Sequence, residues 1–196
     1  MLNWRVSVTL ASVLVALAGC FKEPKPAYKT VDPTSRVYLS DRGLVDLPEI
    51  NKKAVYLNLD RNSLGNVDRL ADFAELKWLR LNSNTLSSLP DLSKLTKLRR
   101  IYLKANRFES VPDTLKDLPS LTDIDLSSNP ISEIPDWLAK KPGLLHLSFT
   151  RTRINRLPND LSAWKSLKSL QLGELHLSAE EMSRIRRALP NVAIVF

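Results

Sequence analysis

The chain has 196 residues, a length suited to one domain, and 43% of them are apolar, which excludes a disordered protein. Twelve prolines and five glycines suit a chain that turns at regular intervals and argue against a bundle of long helices. The net charge of +8 is spread between apolar positions with no concentrated run, so it reads as a solvated basic surface and not as a nucleic-acid footprint; the single cysteine, Cys20, excludes an intramolecular disulfide.

The first elements form an address. Met1–Arg5 carries one Arg and the amino terminus, and Val6–Ala18 is apolar apart from Ser7, Thr9 and Ser12. This is the n-region and short h-region of a secretory signal, too short to cross a bilayer, which takes ~20 residues. Leu17-Ala18-Gly19-Cys20 follows at once and resembles the bacterial lipobox. The resemblance implies cleavage after residue 19, a thioether-linked diacylglycerol on Cys20 and an acylated new terminus, together strong enough for stable membrane anchoring. Phe21 in place of the Asp that retains enterobacterial lipoproteins at the inner membrane favours, by the same analogy, the outer membrane. Residues 20–33, with three prolines and three lysines after the cysteine, read as an extended tether.

From residue 34 to 177 one spacing recurs. Its apolar pairs are Val37/Leu39, Leu57/Leu59, Leu79/Leu81, Ile101/Leu103, Ile124/Leu126, Leu147/Phe149, Leu170/Leu172 and, in the final segment, Val192/Ile194, between 20 and 23 residues apart. Alternation around each pair predicts a short strand with one face buried. Three residues after the pair stands Asn62, Asn84, Asn106 or Asn129, with Arg42, Thr152 and Leu175 at the same place in the outer coils. Leu-Pro or its equivalent then closes the strand side, as in Leu89-Pro90 and Val111-Pro112, and the returns carry apolar residues at helix-like spacing.

The pattern L-x-x-L-x-L-x-x-N-x-L-x-x-L-P resembles the leucine-rich repeat family, in the bacterial and typical form whose repeats end in Leu-Pro. A repeat this short cannot bury its own apolar face, so neighbours must stack. The resemblance implies an α/β solenoid of about eight coils, with a parallel sheet on the concave face and short α or 3₁₀ segments on the convex face. It also implies that the ladder residues Asn62, Asn84, Asn106 and Asn129 turn inward to backbone groups, a task Thr152 can share. Residues 178–196 depart from the repeat: Ser178 and Glu181 read as a capping box, Met182, Ile185 and Leu189 share one helical face, and a last strand follows Pro190, so the segment is expected to cap the core.

No catalytic constellation stands out. The glycines are scattered, the histidines His146 and His176 lack ligand partners at metal spacing, and the one thiol is assigned to lipid. The expectation is a non-enzyme without cofactor. What remains is the concave surface, where Arg36, Tyr56, Trp78, Arg100, Asp123 and His146 precede the inward pairs and Tyr38, Asn58, Arg80, Tyr102 and Asp125 lie within them, with Lys104 just beyond. Tyr, Trp and Arg are the usual interface anchors, so the expected role is capture of another protein at the envelope. The alternatives are an envelope glycan or lipopolysaccharide as ligand, or a secreted or cytosolic effector-type repeat protein.

Overall fold

The computed structural model describes residues 35–196. The signal segment, Cys20 and the tether lie outside them. Eight three-residue strands pair in chain order into one parallel sheet: β1 (Arg36–Tyr38), β2 (Tyr56–Asn58), β3 (Trp78–Arg80), β4 (Arg100–Tyr102), β5 (Asp123–Asp125), β6 (His146–Ser148), β7 (Ser169–Gln171) and β8 (Ala193–Val195). The strands are short because each coil supplies one inward pair before it must turn. The middle residues Val37, Leu57, Leu79, Ile101, Ile124, Leu147 and Leu170 are all buried, as are the second members Leu39 to Leu172 of the pairs. This is a leucine-rich repeat solenoid with its sheet on the concave face.

The last coil departs from the expected spacing. Leu170 pairs with Ile194, so the final pair is Ile194/Phe196 and not Val192/Ile194. The return before β8 contains the ten-residue helix α2 (Ala179–Ala188), whereas four of the other returns hold helices of three to five residues and the returns before β2 and β4 hold none. The longer return moves the strand two residues on and leaves Val192 buried at the end of the helix.

On the convex side the returns make 3₁₀ turns at Asp68–Asp72, Asp113–Leu115 and Ser162–Ser166 and one short α-helix, α1 (Asp136–Lys140). Three residues before the leading Leu of successive coils run Phe73, Leu95, Leu118, Lys141 and Trp164, all buried. Lys141 is out of character in this apolar column. Its Nζ donates to the carbonyls of Lys116 at 2.7 Å and Leu118 at 2.9 Å, and burial pulls its pKa down. Trp164 fills its place as a wall residue and donates Nε1–H to the Leu138 carbonyl at 3.0 Å.

The asparagines stitch the coils together. Asn106 Nδ2 donates to Leu103 O of its own coil and to Leu81 O of the coil before, both at 2.9 Å, while its Oδ1 accepts Leu86 N at 3.1 Å. Asn84 and Asn129 repeat the set, and Asn62 accepts from both Arg42 N and Leu44 N. Thr152 reaches only Phe149 O within its own coil, because a hydroxyl has one proton to give. Leu175 trades the polar bonds for packing against the core.

The residue before each ladder position is left-handed: Asp41, Arg61, Ser83, Ala105, Ser128, Arg151 and Glu174 have φ between 54° and 60°. Their conformation aims the N–H at the next coil, as when Ala105 N donates to Ser127 O at 2.9 Å. A non-glycine residue there costs ~1–2 kcal/mol, against ~0.5–1 kcal/mol for the entropy a glycine loses on folding. Ala105→Gly is therefore expected to stabilise the protein by about 0.5–1 kcal/mol, read as a rise of a few degrees in the melting midpoint.

The C-terminal cap is half of the expected capping box. Ser178 is the N-cap of α2, and its Oγ accepts Glu181 N at 3.1 Å. The Glu181 carboxylate does not complete the box. It accepts Leu157 N of the preceding coil at 2.9 Å and two guanidinium bonds from Arg184 at 2.7 and 2.8 Å, while Arg184 also donates to the carbonyls of Leu157, Pro158 and Asn159. The pair thus clamps the helix to the coil beneath it, and Ile185 and Leu189 close the core.

Hydrogen bonds from Arg184 hold the Glu181 carboxyl below its ordinary value of 4.5. A carboxyl lowered on folding stabilises fully above its unfolded pKa and loses that contribution as pH falls through the folded value. Glu181→Gln should cost about 1–2 kcal/mol near neutrality. Urea titrations of the two proteins should converge as pH falls below the ordinary carboxyl value and through the folded one, where the native side chain takes up its proton.

Candidate functional site

The parallel register lines the concave face with two rows. One runs Arg36, Tyr56, Trp78, Arg100, Asp123, His146, Ser169; the other runs Tyr38, Asn58, Arg80, Tyr102, Asp125, Ser148, Gln171. Each row stands on the buried Leu or Ile of its strand, so adjacent side chains sit one strand spacing apart, ~4.8 Å.

Over the first four coils these side chains join into a strip. The Tyr38 and Tyr56 rings lie 5.2 Å apart at 42°, and Tyr56 meets Trp78 edge to face at 5.8 Å. The Arg100 guanidinium lies 4.5 Å over the Trp78 ring, and Arg80 lies 5.4 Å over Tyr102. Such contacts are worth roughly 0.5–1.5 kcal/mol each, so the strip is held in place before any partner arrives. It is still accessible: Tyr38 is 54% exposed and Trp78 37%. Desolvation in the strip raises the Tyr56 phenol above its ordinary pKa.

The arginines are held at their other side. Asp60, only 2% exposed, accepts Arg80 Nε at 2.7 Å and Asn82 N at 2.8 Å. Arg100 Nε stands 3.6 Å from Asp123. Asp60 is the residue the sequence reading omitted. Its signal was Asp60 and Asn82 occupying the same place one residue past the pair, where Asn82 in turn accepts Lys104 N at 2.9 Å.

Beyond the fourth coil the face changes character. Asp123 is buried and its carboxylate accepts the Thr122 hydroxyl at 2.5 Å. Asp125 accepts Ser127 N at 2.9 Å, as Asn58 accepts Asp60 N, so both close local turns. His146 Nδ1 is bonded to Ser169 Oγ at 2.9 Å. Lys104 is exposed but lies past the strand on the rim, and Arg36 is exposed at the sheet's first edge. Among the described residues no three His, Cys, Asp or Glu side chains are grouped to hold a metal ion, and no helix is long and apolar enough to cross a membrane.

Residues 74–131 and 96–154 match a family described as leucine rich repeat. No curated protein matches the chain in sequence. Among solved structures, an internalin, InlF, from Listeria monocytogenes is 20% identical with a TM-score of 0.55, covering 74% of this chain and 50% of its own. YopM from Yersinia enterocolitica is 28% identical with a TM-score of 0.59, covering 74% of this chain and 30% of its own. This chain therefore spans half or less of either structure, and what it shares with the internalin is the fold.

Proposed function

We propose that this leucine-rich repeat solenoid is a non-catalytic binding protein, held at the bacterial envelope by lipid on Cys20, whose concave face over the first four coils grips another protein. The observation that carries the reading is the strip of exposed Tyr38 and Trp78 and half-buried Tyr56 and Tyr102, interleaved with Arg80 and Arg100. The core is closed beneath it by Val37, Leu57, Leu79 and Ile101, so burying apolar surface on folding does not require aromatic rings on the outer side of the sheet. A rigid platform of Tyr, Trp and Arg is the composition of interface centres, where these residues anchor at low entropic cost. Eight strands span roughly 35 Å, wide enough for a protein-sized contact.

Anchoring rests on the Leu17-Ala18-Gly19-Cys20 motif and on the three-proline tether after it, and Phe21 supports outer-membrane placement. Mass spectrometry of the protein from a bacterial membrane fraction tests this part: the expected N-terminal peptide begins at Cys20 with acyl groups attached, and an unmodified thiol with residues 1–19 retained would point to the effector-type alternative. For the surface, whole-cell cross-linking identifies the bound protein, whose affinity is then measured in purified form. Tyr102→Ala is expected to weaken it about tenfold or more, the scale of an interface anchor. Unchanged affinity would move the contact off the concave strip.

A further inference from the structure

We propose that a groove at the strand-entry edge of coils three to seven binds a sugar carrying two phosphate groups. The residues that enter the strands form a column of their own, set by backbone bonds: Arg99 N to Lys77 O, Thr122 N to Arg99 O, Leu145 N to Thr122 O and Lys168 N to Leu145 O, at 2.7–2.9 Å. Beside this column lies a groove of about 550 Å³, walled at one end by Trp78, Arg99 and Arg100 and at the other by His146 and Lys168. That volume suits a small ligand and not a protein surface.

A charge stands at each end of it. Five exposed cations of the solenoid pair with an acid on the neighbouring coil, Arg61 with Asp41, Lys52 with Asp72, Arg69 with Glu49, Lys97 with Glu75 and Arg151 with Glu174, whereas others, Lys104 and Arg107 among them, have no such pair among the described residues. Arg99 and Lys168 are exposed and carry no such pair among the described residues. The acid inside the groove, Asp123, is buried and already faces Arg100 and Thr122. The field in the groove is therefore positive at both ends.

Three strand steps separate Arg99 from Lys168, ~14 Å between backbones, a span that two long, flexible side chains can shorten. One phosphate cannot satisfy both ends; two phosphates across one sugar ring can. Arg offers a fork to one phosphate and Lys a point charge to the other. Between them His146, with Nδ1 committed to Ser169, keeps Nε2 for a hydroxyl, and the edge of Trp78 offers an apolar wall to a sugar face. The groove adjoins the protein-binding strip at Trp78 and Arg100, but Arg99 and Lys168 lie outside that strip, so the two sites fail independently.

The test uses the full chain in neutral detergent and reads binding by calorimetry. Fructose 1,6-bisphosphate is expected to bind at least tenfold tighter than glucose 6-phosphate, with glucose not binding. Arg99→Ala and Lys168→Ala should each erase that preference, while Arg107→Ala, which removes an exposed cation elsewhere, should leave it intact. Vesicles carrying phosphatidylinositol 4-phosphate, compared with phosphatidylcholine, distinguish the source: retention on the former assigns a lipid headgroup, binding of the soluble sugar alone a free sugar phosphate. Equal affinity for one and two phosphates, a preference that survives both substitutions, or saturable binding of a Glu-rich peptide with none of the bisphosphate would each overturn the proposal.

Discussion

Asn106→Ala is expected to cost about 3–5 kcal/mol and to lower the melting midpoint by roughly 10 °C or more. Asn106 is 7% exposed and sits in the middle of the stack. Its amide makes three well-formed bonds to backbone, two of them to the preceding coil. Alanine leaves Leu86 N–H and the Leu81 and Leu103 carbonyls buried without that partner, at ~1–3 kcal/mol for each group stranded, and leaves a void the rigid coils cannot close. Thr152→Ala removes one bond, within a single coil, and should cost about 1 kcal/mol. Urea denaturation of both variants checks the contrast. Equal losses would mean that the coils are held by apolar stacking alone and that the amide column adds little.

Trp78→Ala is expected to weaken capture of the protein partner by about thirtyfold or more, an anchor's loss of ~2 kcal/mol, while the fold persists. The ring is the hinge of the strip: Tyr56 leans on its edge and Arg100 covers one face. Its removal deletes contact area and frees both neighbours, so a partner would have to order them again on binding. Trp78 is 37% exposed and projects away from the closed core, so melting and circular dichroism should change little. Trp78→Phe keeps a ring for Arg100 and should recover most of the affinity. Titration of the cross-linked partner, once purified, against the three proteins decides it; a Trp78→Ala affinity equal to the parent's removes the strip from the interface.

The repeat spacing located seven of the eight strands because an apolar pair that must face inward is visible as alternation. It also separated inward from outward side chains, since in a strand these differ by one residue. The eighth strand was expected where it lies, after Pro190, but its inward pair was set two residues early because its register depends on the length of α2 and on how that helix seats against Leu157, which no local pattern records. The same limit applies to Lys141, whose place in the buried column depends on the two carbonyls that the coil beneath presents to it. It explains Asp60 and Asp123 as well. A carboxylate looks alike in sequence whether it is offered to a ligand or spent on the arginine of the next coil. The left-handed column was illegible for a different reason: seven non-glycine residues of five kinds adopt it, held by hydrogen bonds and not by composition.

Almost every bond that joins one turn of this chain to another spans a sequence separation close to one repeat, and the sheet never revisits an earlier strand. Among the described residues no keystone strand links the two ends of the sheet. Whole units can be gained by gene duplication or lost by excision with only one seam to heal, provided the closing helix stays last. The breadth of its recognition surface is thus free to change between descendants while the manner of folding stays the same.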